Sequence, residues 1–319
     1  MAAPVAVTGA TGIVGGGVAR GLADAGIPTR LIVRSAGRAP RLPGADVAVA
    51  SYGDRAASRA ALAGIETVFM VSAAEHPDRR AQHLDFVAAM AASGVRRVVY
   101  TSFFGASPDA TFLLARDHWY TEQRIRDSGM AFTFLRDNLY ADLLPTWGDA
   151  AGVLRGPVGT GRVAAVARAD VVDVAIAVLT SVDPDVAGDG RHDGEIYELT
   201  GPDSLTLDEV AAAVTLATGR AFRYQPETLA QAYASRAASG APAWEIDGWV
   251  STYTAIAAGE LGRVTDDVRR IAGHPPLSLP QLFRRSSGLQ EARPRYGVRA
   301  SATNFPPDEP PGGSVIDVT

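Results

Sequence analysis

The chain of 319 residues contains no cysteine and no lysine. The absence of cysteine excludes disulfides, thiolate nucleophiles and zinc sites built on sulfur. The absence of lysine means that all 30 basic residues are arginine. A Schiff base, a phosphate-loop lysine and a Tyr-x-x-x-Lys proton relay are therefore excluded, and any catalysis must depend on other groups.

Charge and hydropathy narrow the class of protein further. The net charge of −5 and the pI near 5.6 argue against nucleic acid as a partner, because phosphate binding requires a basic surface. No uncharged apolar stretch is long enough to span a membrane, and the first residues lack the positive charge of a signal peptide. We therefore expect a cytoplasmic protein without a membrane partner. We expect no metal site, because the five histidines lack metal-ligand spacing.

The first half of the chain alternates short β-rich runs with longer helical stretches. The pattern predicts strands at residues 5–7, 29–33, 46–50, 67–71, 98–101 and 131–135, and helices at 12–25, 55–63, 79–93 and 115–128. Alternation at this spacing is typical of right-handed βαβ units, which build a parallel sheet covered on both faces. The predicted fold is an α/β, Rossmann-type doubly wound parallel sheet.

The second half is less regular. It predicts strands at 163–167 and 195–199 and helices at 170–181, 227–238 and 243–260. A further helix should begin after Thr206, because Thr206 and Glu209 have the spacing of a capping box. Residues 288–319 are rich in proline, glycine and charge, so we expect a flexible tail or one that lies over the surface.

A glycine-rich turn joins the first predicted strand to the first helix. Gly9, Gly12 and Gly15 follow the strand and open the helix. Gly9 permits a tight turn, Gly12 lets backbone amides approach a diphosphate, and Gly15 lets the helix pack close to the strand. In this context the motif predicts a dinucleotide site. The alternative is a turn that only connects the two elements.

The residues after the second strand indicate which dinucleotide binds. An acidic residue there would bind the ribose 2′-hydroxyl of NAD, but this chain has Arg34 and Ser35, with Arg38 close behind. Guanidinium and hydroxyl groups suit a 2′-phosphate, so the cofactor is predicted to be NADP(H). The alternative is that both arginines are solvated surface charges.

Several segments together resemble the NmrA-like family of atypical short-chain dehydrogenases, in particular its NAD(P)H:quinone oxidoreductase type. They are VTGATGIVG, LIVRS, TVFMVS and VVYTS, followed by the block over residues 118–140 and by EIYELTGPDSLTLDEVA. The resemblance covers residues 5–285. It implies a Rossmann domain over 1–150 with 160–181 returning to it, a smaller α/β lobe on the substrate side over 182–287, and substrate in the cleft between them.

The candidate cofactor residues follow from the motif and the resemblance. On the phosphate and adenosine side they are Thr8, Gly9, Thr11, Gly12, Ile13, Val14, Gly15, Arg34 and Arg38. The resemblance implies that Ser72, Ala73, Ser102 and Phe103 lie on the nicotinamide side. This agrees with the rule that ligands bind at the carboxyl ends of parallel strands.

The acid and base of typical short-chain dehydrogenases are missing. Aligning on Glu122 places Leu114 at the usual tyrosine position and His118 at the usual lysine position. His118 is a candidate for proton transfer or ribose binding, although it could equally be a helix histidine facing solvent. Tyr120 is a candidate catalytic acid, because it forms a Tyr-x-x-x-Arg spacing with Arg124, although that register does not match the family block. Asn138 could donate to a substrate carbonyl or cap a turn.

The absence of the Tyr/Lys pair favours a substrate whose reduced form can be protonated without a dedicated catalytic acid. Reduction of a quinone gives a phenolate-like anion with a pKa of about 10, which water or a histidine can protonate. The main hypothesis is therefore an NADPH-dependent oxidoreductase for a quinone or another conjugated carbonyl. Candidate walls of an aromatic cleft are Phe103, Phe104, Leu139, Tyr140, Trp147 and Trp249, although these could be ordinary core residues.

Two other functions fit the sequence. One is a redox sensor of the NmrA kind, which would bind NADP(H) without turnover and signal through a partner. The other is a tailoring reductase that acts on an aromatic secondary metabolite. The expected partner is a small aromatic or quinone-like molecule, and a homodimer is left open.

Overall fold

The computed structural model describes residues 4–181 and 190–290. Within these residues the strands are β1 (Val5–Thr8), β2 (Thr29–Val33), β3 (Ala45–Val49), β4 (Thr67–Met70), β5 (Arg97–Phe103), β6 (Ala131–Asp137), β7 (Val153–Gly156), β8 (Arg162–Val163), β9 (Glu195–Leu199), β10 (Leu205–Thr206) and β11 (Arg223–Pro226). The helices are α1 (Ile13–Asp24), α2 (Arg55–Ala61), α3 (Arg79–Ala92), α4 (Leu113–Asp127), α5 (Arg168–Thr180), α6 (Leu207–Thr218), α7 (Leu229–Ala237), α8 (Ala243–Ala257), α9 (Asp267–Ala272) and α10 (Leu279–Gln290).

Seven strands form one parallel sheet in the order β3-β2-β1-β4-β5-β6-β9. The order reverses at β1, and β1 lies between β2 and β4. Such a switch point leaves a crevice at the carboxyl ends of the strands, where ligands of this fold class bind. The predicted doubly wound sheet is confirmed.

Alternate residues of the strands pack on opposite faces of the sheet. Val5 and Val7 belong to the core that packs under α1, α5 and α9. Ala6, between them, belongs to the core under α2, α3 and α4. Burial on both faces explains why β1 is a continuous apolar run rather than an alternating one.

A third apolar core lies beside the carboxyl ends of β5 and β6. It joins Phe103 and Phe104 to residues of α6, α8 and α10. Two short sheets, β8 with β10 and β7 with β11, belong to this smaller part of the molecule. This core holds the second group of elements against the edge where the crevice opens.

Several predictions for the second half differ from the structure. The strand expected at 163–167 is limited to β8, and Val166 makes only an isolated bridge to Tyr140. The helix expected from 227 begins at Leu229, because Thr228 and Gln231 form its capping box. Strands β7, β10 and β11 and helices α9 and α10 were not predicted. These short strands pair with each other across long sequence separations, so no local period marks them.

The predicted division into domains remains a prediction, with two structural facts that bear on it. Helix α5 packs against α1, as expected for a segment that returns to the first domain. However, β9 lies within the predicted lobe and is the seventh strand of the main sheet. The tail predicted from 288 overlaps the end of α10, and its remainder lies outside the described residues. Among the helices of 4–181 and 190–290, none is long and apolar enough to cross a membrane.

Candidate functional site

The β1–α1 turn has the geometry of a diphosphate cradle. Gly9 has a φ of 62°, a conformation that favours glycine, and its carbonyl accepts a hydrogen bond of 2.8 Å from the Gly12 amide. A Cβ on Gly15 would lie 2.4 Å from the Gly9 oxygen, so only glycine fits there. Helix α1 has no side-chain cap and no acidic residue in its first turn. Its first amides and its positive dipole end therefore suit an anionic ligand.

The exposure of the predicted cofactor residues separates them into two groups. Gly9, Thr11, Gly12 and Ile13 are exposed, and the Ile13 side chain is 55% accessible, which is unusual for an apolar residue. A dinucleotide over the turn would cover it. In contrast, the buried members Val14 and Gly15 pack α1 onto β1 and have no exposed side chain.

Thr8 has a structural role. Its hydroxyl lies 2.6 Å from the Tyr52 hydroxyl and accepts a hydrogen bond of 2.8 Å from the Val71 amide. Because Thr8 is buried, these contacts tie β1 to β4 rather than present the side chain to a ligand. Sequence reasoning did not find this role, since it depends on residues far along the chain.

Arg34 and Arg38 are both exposed after the carboxyl end of β2. Strand β2 pairs with β1 in parallel, so its end lies beside the glycine turn. No ion pair between described residues involves either guanidinium. Both cations are therefore available to a phosphate placed next to the turn.

A cleft of about 340 Å³ opens at the carboxyl ends of β4, β5 and β6. Nine residues that the sequence predicted for the site line this cleft: Ser72, Ala73, Ser102, Phe103, His118, Asn138, Leu139, Tyr140 and Trp147. Further lining residues are Ala74, Glu75, Arg79, Phe112, Leu114, Asp137 and Leu143. The walls are largely apolar and aromatic, with a few buried polar groups, as expected for a small-molecule site.

Some predicted residues lie outside this cleft. Tyr120 is exposed, and the Arg80 guanidinium stacks 4.1 Å from its ring centroid. Phe104 is buried in the third core, and Trp249 packs against the α7–α8 cluster. The structure therefore does not bring Tyr120, Phe104 or Trp249 to the lining of the cleft. For Tyr120 the reason is its position on α4, two residues beyond His118, which turns its side chain to another face of the helix.

Arg79 is the functional candidate that the sequence reasoning missed. Its side chain is buried at the first position of α3, where Nε donates to the Ala73 carbonyl at 2.9 Å. The two Nη atoms lie 3.4 Å from Asp117 Oδ2 and 2.9 Å from His118 Nε2. A buried cation thus lines the cleft in a chain without lysine. Only its position at the start of a predicted amphipathic helix was visible in the sequence, and many surface arginines share that signal.

The contacts of His118 fix its tautomer. Arginine has no acceptor atom, so Arg79 must donate to His118 Nε2, which is therefore unprotonated. The proton is on Nδ1, which lies 3.0 Å from the Tyr100 hydroxyl. Burial, followed by the charge of Arg79, holds the pKa of His118 well below its usual range. His118 is thus a neutral residue with both nitrogens engaged. It is buried, so it does not face solvent, and its predicted role in proton transfer or ribose binding stays a prediction.

Asn138 and Asp137 end β6 side by side, but their side chains differ. The Asn138 amide nitrogen donates to the Leu261 carbonyl at 3.0 Å, and its oxygen accepts from the Leu139 amide at 2.7 Å. Both polar atoms of the Asn138 side chain are thus engaged by backbone groups, and its predicted role towards a substrate carbonyl stays a prediction. Asp137 is 2% exposed, and one of its oxygens accepts a hydrogen bond of 2.8 Å from the Tyr140 hydroxyl. Burial raises the pKa of Asp137 to about 8.

The parallel sheet, together with the glycine cradle and the cleft, defines a dinucleotide-binding protein of the Rossmann class. A sequence profile of the NAD(P)H-binding family matches residues 9–182, more than half of the chain. The chain belongs to this family, so the predicted nicotinamide dinucleotide is confirmed as its cofactor class at the level of NAD(P)H.

Known proteins also support the more specific resemblance. Quinone oxidoreductase 2 of Escherichia coli is 31% identical over 284 residues, which cover 87% of this chain and 96% of the relative. Its crystal structure with NADPH has a TM-score of 0.78 at 30% identity, and the match covers 89% of this chain and 99% of that one. The predicted resemblance to the quinone oxidoreductase type is confirmed.

Two further similarities bear on substrate and mode of action. A (4-alkanoyl-5-oxo-2,5-dihydrofuran-3-yl)methyl phosphate reductase of Streptomyces griseus is 39% identical over 228 residues, which cover 69% of this chain and 76% of the relative. The negative transcriptional regulator NmrA has a TM-score of 0.68 at 17% identity, and the match covers 91% of this chain and 98% of that one. The similarity to NmrA shows a common fold alone.

Proposed function

We propose that the protein is an NADPH-dependent oxidoreductase that transfers hydride to a quinone or another conjugated carbonyl. The observation that carries this proposal is the aromatic cleft at the carboxyl ends of β4, β5 and β6. The cleft lies next to the glycine cradle, because β4 pairs with β1 and Val71, which precedes the lining residue Ser72, packs against Gly9. Flat conjugated rings suit walls such as Phe103, Phe112 and Trp147. Relatives named as reductases of a quinone and of a conjugated oxo-dihydrofuran support the same substrate class.

Arg79 supports the proposal electrostatically. Hydride transfer places negative charge on the acceptor oxygen, and a fixed buried cation in the cleft stabilises such charge more strongly than water does. Its three contacts, to Ala73, Asp117 and His118, hold the guanidinium in place before substrate arrives. We propose that Arg79 performs the electrostatic part of the role that lysine has in typical short-chain dehydrogenases.

The test is turnover of NADPH with a panel of acceptors. We expect oxidation of NADPH, followed by its loss of absorbance, with small quinones and with unsaturated lactones, and slower or no reaction with saturated ketones. Replacing Arg79 with Leu should lower kcat by about 100-fold while the protein remains folded. Absence of turnover with every conjugated acceptor would contradict the proposed reaction.

A redox sensor is the second candidate function. The engaged state of His118 and the missing Tyr/Lys pair favour it, since both reduce the catalytic groups in the cleft. A sensor requires different affinities for NADP⁺ and NADPH together with no turnover. The tailoring reductase predicted from the sequence would use the same cleft, and turnover of bulky aromatic ketones but not of quinones would distinguish it.

The setting of the protein is also a proposal. A small-molecule substrate, rather than nucleic acid, is supported by the net charge of −5. A cytoplasmic location fits the use of NADPH as the reductant. A homodimer stays a hypothesis that sedimentation would test.

A further inference from the structure

Two groups of the cleft have no role in the function proposed above. Asp137 is buried at the end of β6, and its Oδ1 atom has no hydrogen-bond partner among the residues that the structure describes. Its Oδ2 atom lies 2.8 Å from the hydroxyl of Tyr140, and both residues line the cleft. A buried carboxyl oxygen without a partner costs free energy when charged, so this arrangement calls for an explanation.

The surroundings of Asp137 favour its neutral form. Its neighbours in the sheet, Phe103 and Leu199, are apolar, and burial raises its pKa to about 8. The other charged or titratable groups of the cleft, of the segment 141–147 and of the adjoining start of α5 are Glu75, Arg79, His118, Tyr140, Asp142, Arg168 and Asp170. Among these, Tyr140 alone is hydrogen-bonded to the carboxyl group. The carboxyl group thus carries a proton at neutral pH.

We propose that Asp137 and Tyr140 together deliver the proton that completes the reduction, in place of the missing Tyr/Lys pair. This inference rests on the proposed reductase function. Bound NADPH supplies two electrons as hydride and leaves as NADP⁺, while the displaced π-electron pair moves to the acceptor oxygen. Tyr140 donates to Asp137 when the carboxyl group is ionised; when Asp137 is neutral, the same 2.8 Å contact lets the carboxyl group donate to the Tyr140 oxygen and frees the Tyr140 proton to point to the acceptor. Tyr140 then transfers its hydroxyl proton to the acceptor oxygen and takes the carboxyl proton of Asp137. The resulting Asp137 carboxylate is reprotonated by water.

The other polar groups of the cleft are less suited to this step. Arg79 is not deprotonated in proteins, so it cannot supply a proton. His118 is neutral, and both its nitrogens are engaged by Arg79 and Tyr100. The Asn138 amide is engaged by backbone groups. A carboxylic acid with a pKa near the working pH is by contrast an effective proton donor.

The first experiment compares Asp137→Asn and Tyr140→Phe with wild type. We expect NADPH affinity to stay within about twofold. With an unsaturated lactone, whose enolate is strongly basic, kcat should fall by about 100-fold or more, and with a quinone by less than about tenfold. Wild-type kcat should decline above a pH of about 8 as Asp137 ionises, and this decline should disappear in Asp137→Asn. Asp127→Asn and Tyr233→Phe, at exposed positions, are the matched controls.

A second experiment is independent of activity. A carboxyl group with a raised pKa binds its proton more tightly in the folded state, so its contribution to stability is present at low pH and is lost as pH rises towards about 8. The melting temperature of the cofactor-free wild type should therefore fall relative to Asp137→Asn between pH 5 and pH 8. Asp127→Asn should follow wild type throughout.

The outcomes separate the two proposals. Wild-type turnover with an unchanged pH profile and kcat in Asp137→Asn would overturn the proton-delivery role and leave the reductase function standing. A melting-temperature difference that does not change with pH would also overturn it. No turnover of wild type with any conjugated acceptor would overturn the reductase function and this inference together. If Asp137→Asn does not fold, Tyr140→Phe decides, since it removes the hydroxyl and keeps the acid.

Discussion

Arg34 is the residue on which discrimination between the two nicotinamide dinucleotides is proposed to depend. It is exposed after β2, beside the glycine cradle. Arg34→Ala should raise the Kd for NADPH by about tenfold or more, because a hydrogen bond to a charged group is worth about 1.5–3 kcal/mol. The Kd for NADH should hardly change, and calorimetric titration measures both.

Arg59→Ala is the control for this prediction, because Arg59 is an exposed arginine on α2. It should leave both affinities unchanged. Equal weakening of NADPH and NADH binding in Arg34→Ala would instead indicate that Arg34 contacts a part common to both dinucleotides.

Among single residues, the sequence predicted those that line the cleft because they lie at or just after the end of a strand. Ser72, Ser102 and Asn138 all follow or end strands, and all line the cleft. The sequence did not reveal Arg79 or the state of His118. Their properties arise from a contact between α3 and α4 and from burial, which no local pattern encodes.

Helix α1 can approach β1 closely only because Gly15 has no Cβ atom. A methyl group at Gly15 would lie 2.4 Å from the Gly9 oxygen and 2.6 Å from the Thr8 oxygen. Gly15→Ala must therefore shift the helix or the turn, and we expect a loss of about 1–3 kcal/mol in the free energy of unfolding. NADPH binding should weaken as well, because the same turn carries the cradle. Urea denaturation and dinucleotide titration measure the two effects.

Gly248→Ala in the middle of α8 is the matched control. A Cβ there has no neighbouring atom within 4 Å, and the glycine has no positive φ. It should stabilise the helix by about 0.5–1 kcal/mol, since alanine is the better helix former. Equal stabilities of Gly15→Ala and wild type would contradict the role of close packing at the turn.

Helices and strands were predictable where a hydrophobic period within the segment, or a capping box at its start, defined them. Strands β2 and β9 have their predicted bounds, and the capping box of Thr206 and Glu209 is present at α6. In contrast, β7 pairs with β11, about 70 residues away, and both are only four residues long. Their formation depends on the packing of the smaller part of the molecule rather than on a pattern within either segment.

The cleft is a property of the whole molecule. Its residues come from the ends of β4, β5 and β6, from α3 and α4 and from the segment around Trp147. Parallel strands made the first three sources predictable, because their carboxyl ends meet at one edge. The closing wall was not predictable to the same degree, since Trp147 is placed by contacts such as its packing against Tyr253, with ring centroids 5.3 Å apart.

Stabilisation by dinucleotides separates an enzyme from a sensor at the level of the whole protein. A ligand that binds only the folded state raises stability by an amount set by its concentration relative to Kd, about 2.7 kcal/mol at 100 times Kd. A reductase that must release NADP⁺ after each turnover can bind both redox forms. We expect NADPH and NADP⁺ to raise the melting temperature by similar amounts and NADH to raise it less, because the exposed Arg34 and Arg38 are proposed to bind the 2′-phosphate. A large shift with one redox form, none with the other and no turnover would instead support the sensor function.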